Sequence, residues 1–252
     1  MATPSSVPNR RPAVRDALPA LVLTATISPR HQGYVAIADP QERYLHYRRA
    51  LRRWAAHRDL FSDIVFGESS GHRLCGELER EFGDRVRVVV LADLPDYPAG
   101  RGKGYGEALI LERLAASAGI AARQVVKCTG RLYVRNVRRV LAGLDDGVDM
   151  RVRLRRTGRC FADSRFFACR TALLPALVRD LKALIDDSAH VYMEHALARC
   201  ALRYRGEGAR IESFPVPPLL AGRSASTNRR YDSLSAHGQW LRDLVLGTTR
   251  YF

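Results

Sequence analysis

The run Gly100-Arg101-Gly102-Lys103-Gly104-Tyr105-Gly106 sets two cations among glycines, and Lys127-Cys128-Thr129-Gly130-Arg131 follows farther along, behind the apolar Val125 and Val126. A lysine between glycines can bring its ammonium and neighbouring backbone amides to one anion. The pattern is not GxxxxGK[ST], so it is not a P-loop; a solvated lysine in a turn is the plainer alternative. Lys127 is expensive to bury alone and must find a carboxylate or a phosphate, with Glu107 as a candidate structural partner. Arg101, Lys103, Lys127, Thr129 and Arg131 together are suitable parts for holding a phosphorylated ligand.

Other groups could share a site with them. Thr24 belongs to a polar turn with Thr26, Ser28 and Pro29. Glu68, Ser69 and Ser70 follow a short apolar run, and the serines serve equally well as helix caps in a polar turn, so both readings stay open. Asp163-Ser164-Arg165 interrupts the aromatic stretch CFADSRFFACR, either to face a ligand or as plain strand alternation. Glu194-His195 stands where a helix begins, and a glutamate there also complements the helix dipole. Gly222–Asn228 is a small-residue loop carrying Arg223, with Arg229, Arg230 and Tyr231 just after it, and reads as a lid or as a surface loop.

These groups need elements to position them. Apolar runs at 21–27, 63–66, 85–91, 125–128, 150–154, 161–169 and 211–214 predict strands. Asp39-Pro40-Gln41-Glu42 is a helix start, with Asp as cap, Pro at the first position and Glu reaching back. Helical spacing then runs through Tyr44, Tyr47, Leu51 and Trp54. Further helices are predicted at 74–82, after the glycine-rich loop (Ala108, Leu111, Leu114, Ala118), at 132–144, at 173–187, from His190 through Leu197, and around Trp240. The stretch 215–228 reads as irregular. Strands alternating with helices over the first 130 residues predict an α/β fold with a mixed, mostly parallel central sheet flanked by helices.

The 252 residues carry a formal charge of +15, with 46% hydrophobic and 27% charged residues. That balance fits a globular chain with an anionic partner such as a nucleotide, a nucleic acid or an anionic membrane surface. Five scattered cysteines without CxxC spacing argue against a disulfide framework and a zinc site, and point to a reducing cytosol. Residues 1–18 read as a flexible leader without a signal-peptide core, and no apolar run approaches a membrane span.

The order of parts resembles the GT-A glycosyltransferases over residues 20–230. In many of them a Gly-Lys-Gly segment leads into a helix and then a strand ending in Asp-x-Asp, which binds a metal. Here Gly102-Lys103-Gly104 with Ala108 leads to Thr129-Gly130-Arg131, which cannot ligate Mg²⁺ or Mn²⁺ as carboxylates do. The pair Asp145-Asp146 comes later, in an expected helix-end loop. The resemblance therefore implies a single GT-A-like domain over 19–252, with a nucleotide-binding half (19–136) and an acceptor half (137–252). No divalent metal is expected, and Arg101, Lys103, Lys127 and Arg131 would take its place at a leaving phosphate. The donor would be a nucleotide-sugar, touched by Thr24, Glu68, Ser69, Thr129 and Arg223. Glu194 would be the base of an inverting reaction, and Asp163 would face the acceptor sugar. The acceptor would be a glycan or lipid-linked glycan of a bacterial surface, lipopolysaccharide or capsule, built in the cytoplasm at the inner membrane face. A sugar nucleotidyltransferase is the main alternative. It is opposed by the lack of a basic glycine-rich run after the first strand. A basic nucleic-acid binder is opposed by the lack of any recognisable binding motif.

Overall fold

Ala20–Ala25 is buried at every position, as a strand covered on both faces must be, and forms β1. The computed structural model describes residues 18–29, 35–145, 147–155, 160–224, 227–233, 238 and 240. The expected leader lies outside the described residues, as does most of the helix expected around Trp240. Asp39 caps α1 (Pro40–Ala55) as its sequence predicts, its carboxylate accepting from the Glu42 amide at 2.7 Å.

The chain continues through β2 (Ile64–Glu68), α2 (Cys75–Phe82), β3 (Arg87–Val90), α3 (Gly102–Ser117) and β4 (Gln124–Thr129). After them come β5 (Leu132–Val134), α4 (Val137–Leu141), β6 (Met150–Arg155) and β7 (Phe161–Arg170). The last elements are α5 (Leu174–Leu184), α6 (Met193–Gly206), β8 (Ile211–Glu212) and β9 (Leu220–Gly222). Seven strands form one sheet in the order β3-β2-β1-β4-β7-β6-β8. Strands β1 to β4 are mutually parallel, as alternating strands and helices require, while β7 runs antiparallel to β4.

Alternate residues of the central strands feed two cores. Leu21, Leu23 and Phe66 pack with Trp54 of α1, Leu78 of α2 and Val137 of α4. Val22, Val65 and Phe167 pack on the other face with Leu111 of α3, Leu177 of α5 and Leu197 of α6. Among the described residues no helix is long and apolar enough to cross a membrane.

Three local expectations are corrected. The stretch 132–144 is not one helix. Leu132–Val134 is a strand that pairs antiparallel with β9, and only Val137–Leu141 is helical. The partner strand β9 lies inside the stretch expected to be irregular. The glycine-rich run is not a free loop either: after a short 3₁₀ turn at Ala99–Arg101, Gly102 already opens α3.

Candidate active site

Register brings the chemistry together. Thr24 of β1 lies opposite Thr129 of β4, and Cys128 of β4 lies opposite Phe166 of β7. The carboxyl ends of β1 and β4 therefore meet the beginning of β7. A cavity of about 820 Å³ opens at this point, outside the carboxyl ends of the parallel strands where open α/β sheets bind ligands. Among the residues singled out in the sequence, Thr24, Ser69, Lys103, Thr129, Arg131 and Glu194 line it. Glu68, Arg101, Lys127, Asp163 and Arg223 do not.

The reason differs for each of these five. Glu68 is fully buried and binds the sheet ends together, accepting from Ile27 N (2.7 Å), Ser70 N (3.0 Å), Gly71 N (2.9 Å) and Cys75 Sγ (3.1 Å). Arg101 turns away, donating to the Lys182 carbonyl and lying 4.5 Å over the Tyr105 ring. Asp163 is spent on Arg165, bonded to its Nε at 2.7 Å and its Nη2 at 2.6 Å. Arg223 donates to Asn228 Oδ1 at 3.0 Å, and its carbonyl accepts from Arg131 Nε at 3.1 Å.

Lys127 is completely buried and pairs with Glu107 Oε1 at 2.7 Å, the carboxylate named as one candidate partner from the sequence. It also donates to the Ser164 carbonyl at 2.5 Å and to Thr129 Oγ1 at 3.2 Å. Burial pushes the Glu107 carboxyl up, but Lys127, Thr24 and Arg131 outweigh it and hold the group below the usual range. Glu107 itself reaches the cavity wall, so an anchored carboxylate stands there in front of its buried counter-ion.

Gly102 and Gly104 of the basic run allow a close approach of the turn before α6 and of its first residue. Gly102 has φ +73°, and a Cβ there would overlap the Asp187 carboxylate. A Cβ on Gly104 would come within 2.9 Å of Met193 Cβ. Asp187 takes the Lys103 backbone amide at the start of α3, where a helix favours negative charge. One amide expected to cradle phosphate is thus already occupied by the chain's own carboxylate. Burial raises the Asp187 pKa, with nearby Glu194 adding to the effect and Lys103 opposing it.

Another wall of the cavity comes from β7 and the start of α6. Glu194 Oε1 accepts from Ser164 Oγ at 3.0 Å. The Arg165 guanidinium reaches the cavity, fixed by Asp163 and lying 4.7 Å over the Tyr231 ring. Burial pushes the Asp163 carboxyl up, but Arg165 outweighs it and holds the group below its ordinary value. Sequence reasoning passed over Asp187 and Arg43. Arg43 braces the turn after β1 by donating to the Thr26 carbonyl (2.7 Å) and to Tyr47 Oη (3.0 Å). An Arg-x-x-x-Tyr spacing on one helix face was the available signal for Arg43; Asp187 had none, because it acts on a distant helix.

No carboxylate stands at the end of β4 to ligate a divalent metal. The end of β4 carries Thr129-Gly130-Arg131, and a Cβ on Gly130 would lie 2.8 Å from the Thr24 carbonyl. Among the described residues no three His, Cys, Asp or Glu side chains are grouped to hold a metal ion. Asp145 is paired with Arg151 at 3.2 Å and does not line the cavity, and Asp146 lies outside the described residues.

The strand order and the site's place at the sheet end define a GT-A-like fold. The chain is similar to the inositol-1-phosphate CTP transferase from T. maritima, with a TM-score of 0.51 and 12% identity over 92% of this chain and 98% of that one. The glycosyltransferase GlyE of Streptococcus pneumoniae TIGR4 matches with a TM-score of 0.49 and 8% identity, over 79% of this chain and 45% of that one. A 4-diphosphocytidyl-2C-methyl-D-erythritol synthase matches with a TM-score of 0.44 and 15% identity, over 89% and 97%. At such identities the likeness is one of fold. No family model and no curated protein sequence matches the chain.

Proposed function

We propose that the chain is a metal-independent glycosyltransferase that moves a sugar from a nucleotide-sugar donor to a hydroxyl of a glycan. The observation that carries this reading is that Glu194, held by Ser164, shares the lining of one cavity with the cations Lys103 and Arg131. Glu194 takes the proton of the acceptor hydroxyl, whose oxygen forms a bond to the anomeric carbon. The bond from that carbon to the donor phosphate breaks, and its electron pair stays on the phosphate oxygen. Lys103 and Arg131 meet that charge. A single displacement of this kind inverts the anomeric centre. The resemblance to GT-A enzymes extends the reading to a bacterial surface glycan assembled at the inner membrane face.

A screen of nucleotides and nucleotide-sugars by thermal shift, in EDTA and in Mn²⁺, tests the reading. One nucleotide should bind in EDTA, and Arg131→Ala should weaken it by roughly 10- to 100-fold, the loss of a charge-assisted contact. Binding that needs Mn²⁺ would overturn the metal-independent part, and no nucleotide binding would overturn the whole.

A second reading is a sugar nucleotidyltransferase, because the same two cations suit a triphosphate and the T. maritima transferase shares the fold across nearly its whole length. Pyrophosphate released from a nucleoside triphosphate and a sugar phosphate would establish it in place of the first.

A further inference from the structure

Four rings form a row beside Glu194. Phe161 at the start of β7 meets His195 at 6.4 Å, edge to face. His195 lies 5.6 Å from Tyr192, and Tyr192 lies 6.3 Å from His190. Phe161 is 38% exposed and Tyr192 40%, so two large rings stand open to solvent at one place. Tyr192 and His190 line the cavity, whereas Phe161 and His195 lie beyond its lining, so the row leads from the cavity wall outward.

Three of the four ring residues are tied together by hydrogen bonds. The Tyr192 amide donates to His195 Nδ1 at 3.4 Å, and His190 Nδ1 meets Tyr192 Oη at 3.2 Å. His190 has φ +56°, an uncommon conformation for a residue with a side chain, and strained backbone of this kind collects at ligand clamps. Rings fixed before binding lose little freedom when a ligand arrives. A sugar ring carries an apolar C–H face inside a rim of hydroxyls. Rings with an apolar body and a polar edge match both parts of it.

We infer that this row seats an oligosaccharide acceptor of at least two sugar rings. The reactive ring stacks on Tyr192 beside Glu194, and the preceding ring lies over Phe161 and His195. The inference rests on the glycosyltransferase reading and adds the acceptor's class and least length.

Aromatic ¹H–¹³C NMR on the full chain tests it. The probes are glucose, galactose and N-acetylglucosamine with their β1,4-linked oligomers of two to four rings. Oligomers of at least one series should shift Tyr192 and Phe161, with affinity rising about tenfold from one ring to two. Phe161→Ala should remove that gain with the thermal melt unchanged, while Tyr192→Phe retains it. The inference is overturned if no series shifts these rings, or if Phe161→Ala leaves the length dependence intact. It is likewise overturned if anionic vesicles of phosphatidylglycerol shift them in place of sugars. UDP, GDP and CMP are titrated into the same sample. If a nucleotide binds while the rings stay silent to sugars, only the acceptor inference fails. Silence towards the nucleotides overturns the glycosyltransferase reading itself.

Discussion

The Ser164 hydroxyl donates to Glu194 Oε1 at 3.0 Å, while the carbonyl of the same serine accepts from Lys127 Nζ at 2.5 Å. One residue of β7 thus aims the Glu194 carboxylate and closes the cage of the buried lysine. Ser164→Ala removes only the first of these bonds. In the proposed reaction kcat should fall about tenfold, with the donor KM unmoved, because Glu194 loses its orientation. Glu194→Gln should cost about 10²- to 10⁴-fold in kcat while leaving nucleotide binding intact. Steady-state release of the nucleotide reads both, and a Glu194→Gln enzyme of normal rate would exclude this base.

The buried pair makes an asymmetric prediction about stability. Glu107→Ala leaves Lys127 fully enclosed without its carboxylate partner, and should lower the unfolding free energy by about 3–5 kcal/mol in urea. Lys127→Met should cost less, since Glu107 opens onto the cavity and can be hydrated. Combining Glu107→Ala with Lys127→Met should recover part of the loss. Equal costs for the two single variants would contradict the placement of Lys127 inside and Glu107 at the wall.

Acid should unfold the protein through two carboxylates. Glu107 and Asp163 are both held below their ordinary values of 4.5 and 3.8. Their contribution is complete above about pH 4.5 and drains away as pH falls through the lower folded values. Urea midpoints measured from pH 7 to pH 3 should therefore drop steeply below pH 4.5. Asp163→Asn should lower the midpoint at pH 7 and flatten that drop.

Two glycines with positive φ should respond differently to alanine, and Gly102 with ψ −179° also holds a backbone region that only glycine readily adopts. At Gly102 (φ +73°) an added methyl would run into Asp187, whereas at Gly119 (φ +55°) it would meet nothing within 4 Å. Gly119→Ala should cost only the left-handed penalty, about 1–2 kcal/mol. Gly102→Ala must also displace Asp187 from the start of α3, so its melting temperature should fall further and nucleotide affinity should fall with it. Identical melts would show that α3 and the turn before α6 do not press on each other at Gly102.

What the sequence made legible was local or strongly patterned. The Asp39 cap, the buried runs of β1 and β4, and the need of Lys127 for an anionic partner all follow from neighbouring residues or from the cost of burying charge. Leu132–Val134 misled because its strand state depends on β9, far along the chain, and three residues carry too little periodicity to show it. The glycines of α3 read as phosphate-cradling because their spacing suggested a loop. Gly102 and Gly104 instead admit Asp187 and Met193, and Gly106 admits the Tyr97 hydroxyl, approaches that no local pattern encodes. Arg101, Asp163 and Arg223 have the right charges for a site, yet each is committed to a partner that only the folded chain brings near.

The antiparallel seating of β7 against β4 has a consequence for synthesis. While the ribosome has delivered only the first 136 residues, β4 is a bare edge, and Lys127 lacks the carbonyl that Ser164 will supply. A fragment ending at residue 136 would expose that edge to pairing with other chains. Such a fragment should aggregate, not bind nucleotide. The nascent chain needs β7 to emerge before its first half can close, so the later half of the chain acts as the folding partner of the earlier one.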